Sequence, residues 1–416
     1  RRLLAGEKPA ADDLKKTILR EIQELVSPYF CYAVNALGIV LHTGLGRAPF
    51  NERIADIVRD MSKGYSRLQI DDEGKRADRY RKISRLLQVL TGAEAGIIVN
   101  NNAAATMLVL SAMAKGREVI ISRGQLIEIG GSYRIPDVMA QSGAIMREVG
   151  TTNRTHLKDY EGAINENTAA LLRVHQSNYR IIGFTKDVPL EELIELGRKH
   201  NIPVIDDLGS GALIDLSKYG LPKEPMVQES IGAGADVACF SGDKLIGGPQ
   251  CGIIVGRKTY IEAIKKNPLT RALRCDKLTN AVLEATLQLF LMKEEVLIRT
   301  HPVFSILLKP LDEIKQTAER CAQALHASCG KTIELTVRPD KSEIGGGSLS
   351  TEQLSTYVIA VKAKGIAVDD LARALRRYRT PVYGRVFDDT LLLDFRTVLD
   401  GEEDIIVQAF KEIINI

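Results

Sequence analysis

From about Val34 to Val255 short β-branched runs alternate with helical segments, and this alternation constrains the fold more than any other feature of the chain. Strands joined by helix-length connections run parallel, and a parallel sheet must be covered on both faces. The runs Gly96–Val99, Glu118–Ser122, Ala144–Glu148, Ala169–Val174, Ile202–Asp206, Asp236–Ser241 and Gly252–Val255 therefore predict one mostly parallel seven-stranded α/β sheet. Helices are expected over Ala103–Ala114 and Leu190–His200, the second opened by Pro189 and acidic in its first turn at Glu191 and Glu192.

Around this sheet the 416 residues leave room for further units. Leu14, Ile18, Ile22 and Val26 recur at four-residue spacing, which predicts an amphipathic helix within an N-terminal segment, 1–33. The large domain is expected over 34–276, a connecting helix over 277–309 with its helical pattern running from Lys277 to Arg299, and a small α+β domain over 310–416. Strands of the small domain are expected at Lys331–Val337, Thr356–Val361 and Thr390–Phe395, and the triplet Gly345-Gly346-Gly347 reads as a flexible turn rather than a phosphate loop. Because the chain starts at Arg1 without methionine, it reads as lacking part of a longer N-terminus.

Composition removes several function classes. Hydrophobic residues make up 45% and charged residues 26%, and no apolar stretch approaches the ~20 residues of a membrane helix, so a soluble protein without a membrane partner is expected. The six cysteines form no C-x-x-C pair, which suits reduced thiols in the cytoplasm. The six histidines form no zinc pattern, and no metal is expected. A net charge of +3 does not by itself announce a nucleic-acid binder.

The chemistry is expected where strands end, since open α/β sheets bind ligands at their carboxyl edge. Ser241-Gly242-Asp243-Lys244 follows one apolar strand: the lysine can form a Schiff base once its amine is neutral, and Ser241 can donate to a phosphate. Asp206-Asp207 ends another strand, and a carboxylate there can keep a pyridine nitrogen protonated. Alternation sends only one of the two inward; Asp207 is favoured, with Asp206 as the fallback. Asn101-Asn102-Ala103 opens an alanine-rich helix, either as a phosphate site or as simple N-capping. His175 and Ser177 could face a bound ring, although a histidine at such a place is as often structural. Arg47, and Arg271 with Arg274 three residues apart, suit tetrahedral oxyanions if they reach the lysine, and otherwise read as solvated surface.

Together with Leu41-His42-Thr43, Gly64-Tyr65-Ser66, Ile127 to Ser132, Arg134 to Asp137 and Gly150 to Thr155, these segments resemble bacterial selenocysteine synthases, the L-seryl-tRNA(Sec) selenium transferases, over roughly 15 to 400. The resemblance implies the aspartate-aminotransferase-like fold (PLP fold type I), with pyridoxal 5'-phosphate (PLP) on Lys244. It implies that Asp243 belongs to the active site and that Arg47, Arg271 and Arg274 bind the selenium donor, selenophosphate. The implied reaction converts seryl-tRNA(Sec) to selenocysteinyl-tRNA(Sec) through a PLP aldimine, loss of water to a dehydroalanyl intermediate, and selenium addition. It also implies a homo-oligomer of dimers, a decamer when intact, and a tRNA-related N-terminal region within which this chain begins. Leu37, Gly44 and Arg67 depart from the family pattern. Two alternatives stand beside this reading: a PLP-dependent lyase or ammonia lyase acting on a small amino acid or amino sugar acid, and a catalytically silent tRNA-binding paralogue.

Overall fold

The computed structural model describes residues 11–131, 133–349 and 352–414. Its strands, in chain order, are β1 (Val34–Ala36), β2 (Ala95–Val99), β3 (Glu118–Ser122), β4 (Glu128–Ile129), β5 (Tyr133–Arg134), β6 (Ile145–Val149) and β7 (Thr168–Val174). They continue as β8 (Val204–Gly209), β9 (Val237–Ser241), β10 (Gly252–Gly256), β11 (Ile333–Glu343), β12 (Gln353–Ala363), β13 (Val382–Phe387) and β14 (Thr390–Asp394).

Seven of them make the large sheet, in the order β2-β10-β9-β8-β7-β3-β6. Only β10 runs against its neighbours, pairing antiparallel with both β9 and β2. Every residue of β2, β9 and β10 is buried, as two-sided coverage requires. The alanine-rich helix Asn102–Met113 packs its small side chains close against this sheet, and Leu190–His200 covers the sheet with Leu193, Ile194 and Leu196. The seven expected strands are thus present, with ends shifted by no more than three residues.

The small domain is a five-stranded sheet, β1-β13-β14-β12-β11, backed by the helices Leu311–Cys329, Val368–Arg376 and Glu402–Ile414. Its first strand is a finding the sequence hides: Val34–Ala36, expected to begin the large domain, pairs in parallel with Val382–Gly384. The chain therefore leaves the small domain, crosses between the two sheets through residues 37–50, builds the large domain and returns.

The helical pattern expected from Lys277 to Arg299 is broken. A helix runs Lys277–Leu289, capped by Asp276 accepting from Leu278 and Thr279, and a second runs Glu294–Thr300. Between them Phe290 turns inward to meet His301 and Phe304 edge-on, with ring centroids 5.1 and 6.1 Å away. Burying that aromatic cluster outweighs continuing the helix. The leading helix forms over Ala11–Val26, and its apolar stripe is uncovered in the single chain, with Ile22 50% and Val26 75% exposed. No described helix is long and apolar enough to cross a membrane.

Candidate active site

Lys244 sits in the connection between β9 and β10, and the antiparallel pairing of those strands makes that connection tight. Gly242 N–H donates to Cys251 O (2.8 Å), Gly248 N–H to Gly242 O (2.8 Å) and Gly247 N–H to Lys244 O (2.9 Å). Gly247 is required here: its φ is +64°, and a Cβ would stand 2.4 Å from the His301 ring. His301 is fully buried, and its Nε2–H donates to Ile246 O at 2.9 Å while Nδ1 accepts from Phe304 N–H. Burial lowers its pKa to about 4, so the ring braces the loop as a neutral group.

The lysine side chain is only 5% exposed. Burial lowers its pKa, the Arg47 guanidinium lowers it further, and Asp243, Asp207 and Glu224 pull the other way. Arg47 reaches the site after a single 3₁₀ turn, Thr43–Leu45, and its Nη1 lies 2.5 Å from Asp243 Oδ2. Net depression makes neutral amine more accessible than on a surface lysine, which is what attack on an aldehyde needs.

The register of β8 separates the two adjacent aspartates. Asp206 turns to Arg173, 3.0 Å away, on one face. Asp207 turns to the helix Asn102–Met113 on the other: Oδ1 accepts from Asn102 Nδ2 (2.9 Å) and Gly209 N (3.1 Å), and Oδ2 from Thr106 Oγ1 (2.8 Å). Burial raises its pKa, against these three hydrogen bonds. Asn102 and Thr106 are four residues apart and so share one helix face. Asn101 caps that helix, accepting from Ala104 N–H at 2.8 Å, and the N–H groups of Asn102 and Ala103 precede the first intrahelical bond. Ser241 ends β9, buried, three residues before Lys244. His175 follows β7 with its N–H on Asp207 O (2.9 Å) and its Nε2 3.6 Å from Glu224 Oε2; Ser177 is the next but one.

Two expected residues make no hydrogen bond or ion pair with the cluster among the described residues. Arg271 lies in the short helix Leu269–Ala272 and Arg274 just beyond it, both exposed, and among the described residues neither makes an ion pair. Their segment is joined to the site's edge through its backbone, where Leu273 O accepts from Asn100 N at 2.9 Å. Conversely, Thr106, Glu224 and His301 belong to the site or its walls and carry no site signal of their own in the sequence, and Gly347, read there as part of a flexible turn, also lies against Lys244. Thr106 was within reach, one helical turn after Asn102.

The residues fit the expected PLP. Two buried polar atoms on or beside this cluster, Asn102 Oδ1 and Ser177 Oγ, have no hydrogen-bond partner among the described residues, and a bound ligand could complete them. An amine of lowered pKa, a buried carboxylate and a helix N-terminus supply what the aldehyde, ring nitrogen and phosphate of PLP need.

Comparison with known proteins gives one picture. The family model described as L-seryl-tRNA selenium transferase matches residues 33–399. The L-seryl-tRNA(Sec) selenium transferase of Alkaliphilus oremlandii is 52% identical over 408 residues, covering 97% of this chain and 86% of that one. That of Nitratidesulfovibrio vulgaris is 46% identical over 416 residues, covering 100% and 88%. Among solved structures, D-glucosaminate-6-phosphate ammonia-lyase superposes with a TM-score of 0.62 at 20% identity, covering 95% of this chain and 98% of that one, and so shares the fold.

Proposed function

The chain belongs to the L-seryl-tRNA selenium transferase family, and from that premise we propose that it converts seryl-tRNA(Sec) to selenocysteinyl-tRNA(Sec) with selenophosphate as the selenium donor. The observation that carries the reading is the burial of Lys244 between the Arg47–Asp243 pair and the Asp207 carboxylate.

Bound PLP supplies an electron sink for the Cα of the seryl group. Lys244 Nζ would be its point of attachment and, when free, would be the base for the Cα proton. Asp207, held in place by Asn102 and Thr106, keeps the ring nitrogen protonated. The N-terminus of the helix Asn102–Met113, at Asn101, Asn102 and Ala103, binds the phosphate together with Ser241, while His175 and Ser177 face the ring. The seryl hydroxyl would leave as water; the selenium of selenophosphate would bond to the β-carbon as a proton returns to Cα, and hydrolysis of the P–Se bond would release phosphate.

Arg47 orients selenophosphate beside Lys244, with Asp243 fixing its guanidinium. Arg271 and Arg274 act in the same role on the site of a second subunit, a division consistent with their exposure and with their making no ion pair among the described residues. The working form is accordingly a cytoplasmic homo-oligomer of dimers, gathered into a decamer.

The test is selenium transfer from selenophosphate to seryl-tRNA(Sec) by the purified chain, with Lys244→Ala as the comparison. Transfer by the wild type alone is expected. Turnover of a free amino acid or amino sugar acid without any transfer to seryl-tRNA would instead assign it the lyase chemistry.

A further inference from the structure

The site has a roof that the reaction above does not use. Between β11 and β12 the chain runs Ile344-Gly345-Gly346-Gly347-Ser348-Leu349, and the three glycines have φ of +77°, +64° and +71°. A Cβ on Gly345 would stand 2.5 Å from Ile39 Cγ2, so this strap lies directly on the segment that leads to Arg47. Val40 N–H donates to Glu343 O (3.0 Å) and Leu41 N–H to Ile344 O (2.7 Å), tying the two together. A Cβ on Gly347 would come within 3.8 Å of both Lys244 Nζ and Ser177 Oγ, so the strap passes over the amine with no side chain of its own between them.

The far end of the strap is held from the large domain. Leu349 N–H donates to Glu224 Oε1 at 3.1 Å. Glu224 is 5% exposed, and its other oxygen lies 3.4 Å from Ser210 Oγ and 3.6 Å from His175 Nε2. One buried carboxylate thus touches the strap, the turn after Asp207 and the histidine expected at the ring. Leu349 has φ +46°, a left-handed conformation that a branched side chain adopts only when its surroundings hold it there. Its side chain is buried against Ile344 and Leu354, and its N–H is on Glu224.

We propose that Glu224 is a positioning residue that fastens the small-domain strap Gly345–Leu349 over Lys244, so that docking of the small domain and enclosure of the site are one event. The strap excludes water from the amine, and Glu224 makes that enclosure depend on the large domain's own site residues. This holds whichever substrate enters, so it stands apart from the assignment of seryl-tRNA.

Hydrogen exchange on the holoenzyme, read by mass spectrometry over residues 344–349 and over β12 as the reference, tests it. In Glu224→Ala the strap is expected to exchange about tenfold faster, as loss of one charge-assisted hydrogen bond implies, with β12 unchanged. Glu224→Gln keeps a carbonyl oxygen for Leu349 N–H and is expected to retain most of the protection. Unchanged strap exchange in Glu224→Ala, equal loss in the Gln variant, or loss spread equally over β12 would overturn the proposal. Failure of selenium transfer to seryl-tRNA would leave the exchange result standing.

Discussion

Asp207 in the large sheet and Asp394 in the small one are built alike and surrounded differently. Each is a buried carboxylate at a strand end with three hydrogen-bond donors and a pKa raised by burial. Asp394 takes its bonds from Thr356 Oγ1 (2.7 Å), Ser342 Oγ (2.8 Å) and Arg396 N (3.0 Å), with the Arg385 guanidinium 3.8 Å away as counter-charge. It also fits against Gly38, where a Cβ would stand 2.0 Å from Oδ2. Asp207 has instead Asn102, whose own Oδ1 is unpartnered among the described residues, and the buried Tyr133 hydroxyl nearby. Asp394 has a guanidinium counter-charge inside the small domain and holds the fold; Asp207 instead lies where its charge acts on the buried Lys244 amine, which suits a ligand site.

The contrast breaks if activity responds alike to the two substitutions. Asp207→Ala is expected to lower kcat roughly a thousandfold and, because it orphans Asn102, Thr106 and the Gly209 N–H, to cost about 3 kcal/mol in a denaturant titration of the apoprotein. Asp394→Ala orphans Thr356, Ser342 and the Arg396 N–H and is expected to cost a similar amount in the same titration, but with kcat per folded molecule nearly kept. Equal losses of activity at both positions would dissolve the distinction.

Arg47→Ala sharpens the comparison at the site's charge balance. Arg47 helps hold the Lys244 pKa down, so removing it lets that pKa rise and less neutral amine remains at a given pH. The pH profile of PLP loading, followed by absorbance, is expected to move to higher pH; a shift to lower pH would contradict the assigned sign. The smallest effect is expected from trimming one hydroxyl: Thr106→Val and Thr356→Val each cost about 1 kcal/mol of stability, and only Thr106→Val also lowers kcat, by several-fold.

What the sequence makes legible follows the same line. The large-sheet strands stand out because two-sided burial leaves near-continuous apolar runs, as in Val237 to Ser241. Lys244 and Asp207 are legible because they end such runs. Which aspartate faces the site depends on register, and only the opposed partners Arg173 and Asn102 decide it. The strand Val382–Phe387 is missed because Gly384 and Arg385 interrupt its apolar pattern, and β1 because its partner lies far along the chain. The glycine triplet Gly345–Gly347 signals a special backbone, but its place over Lys244 comes from packing between domains. Glu224, in a proline-flanked loop, carries no local pattern at all.

The amine of Lys244 is the proposed point of attachment for PLP, on which the chemistry depends. Borohydride reduction of the holoenzyme followed by peptide mass spectrometry reads that bond directly. The account predicts a phosphopyridoxyl mass on Lys244 alone, absent from Lys244→Ala; the label on any other lysine, or none in a protein that transfers selenium, would contradict it.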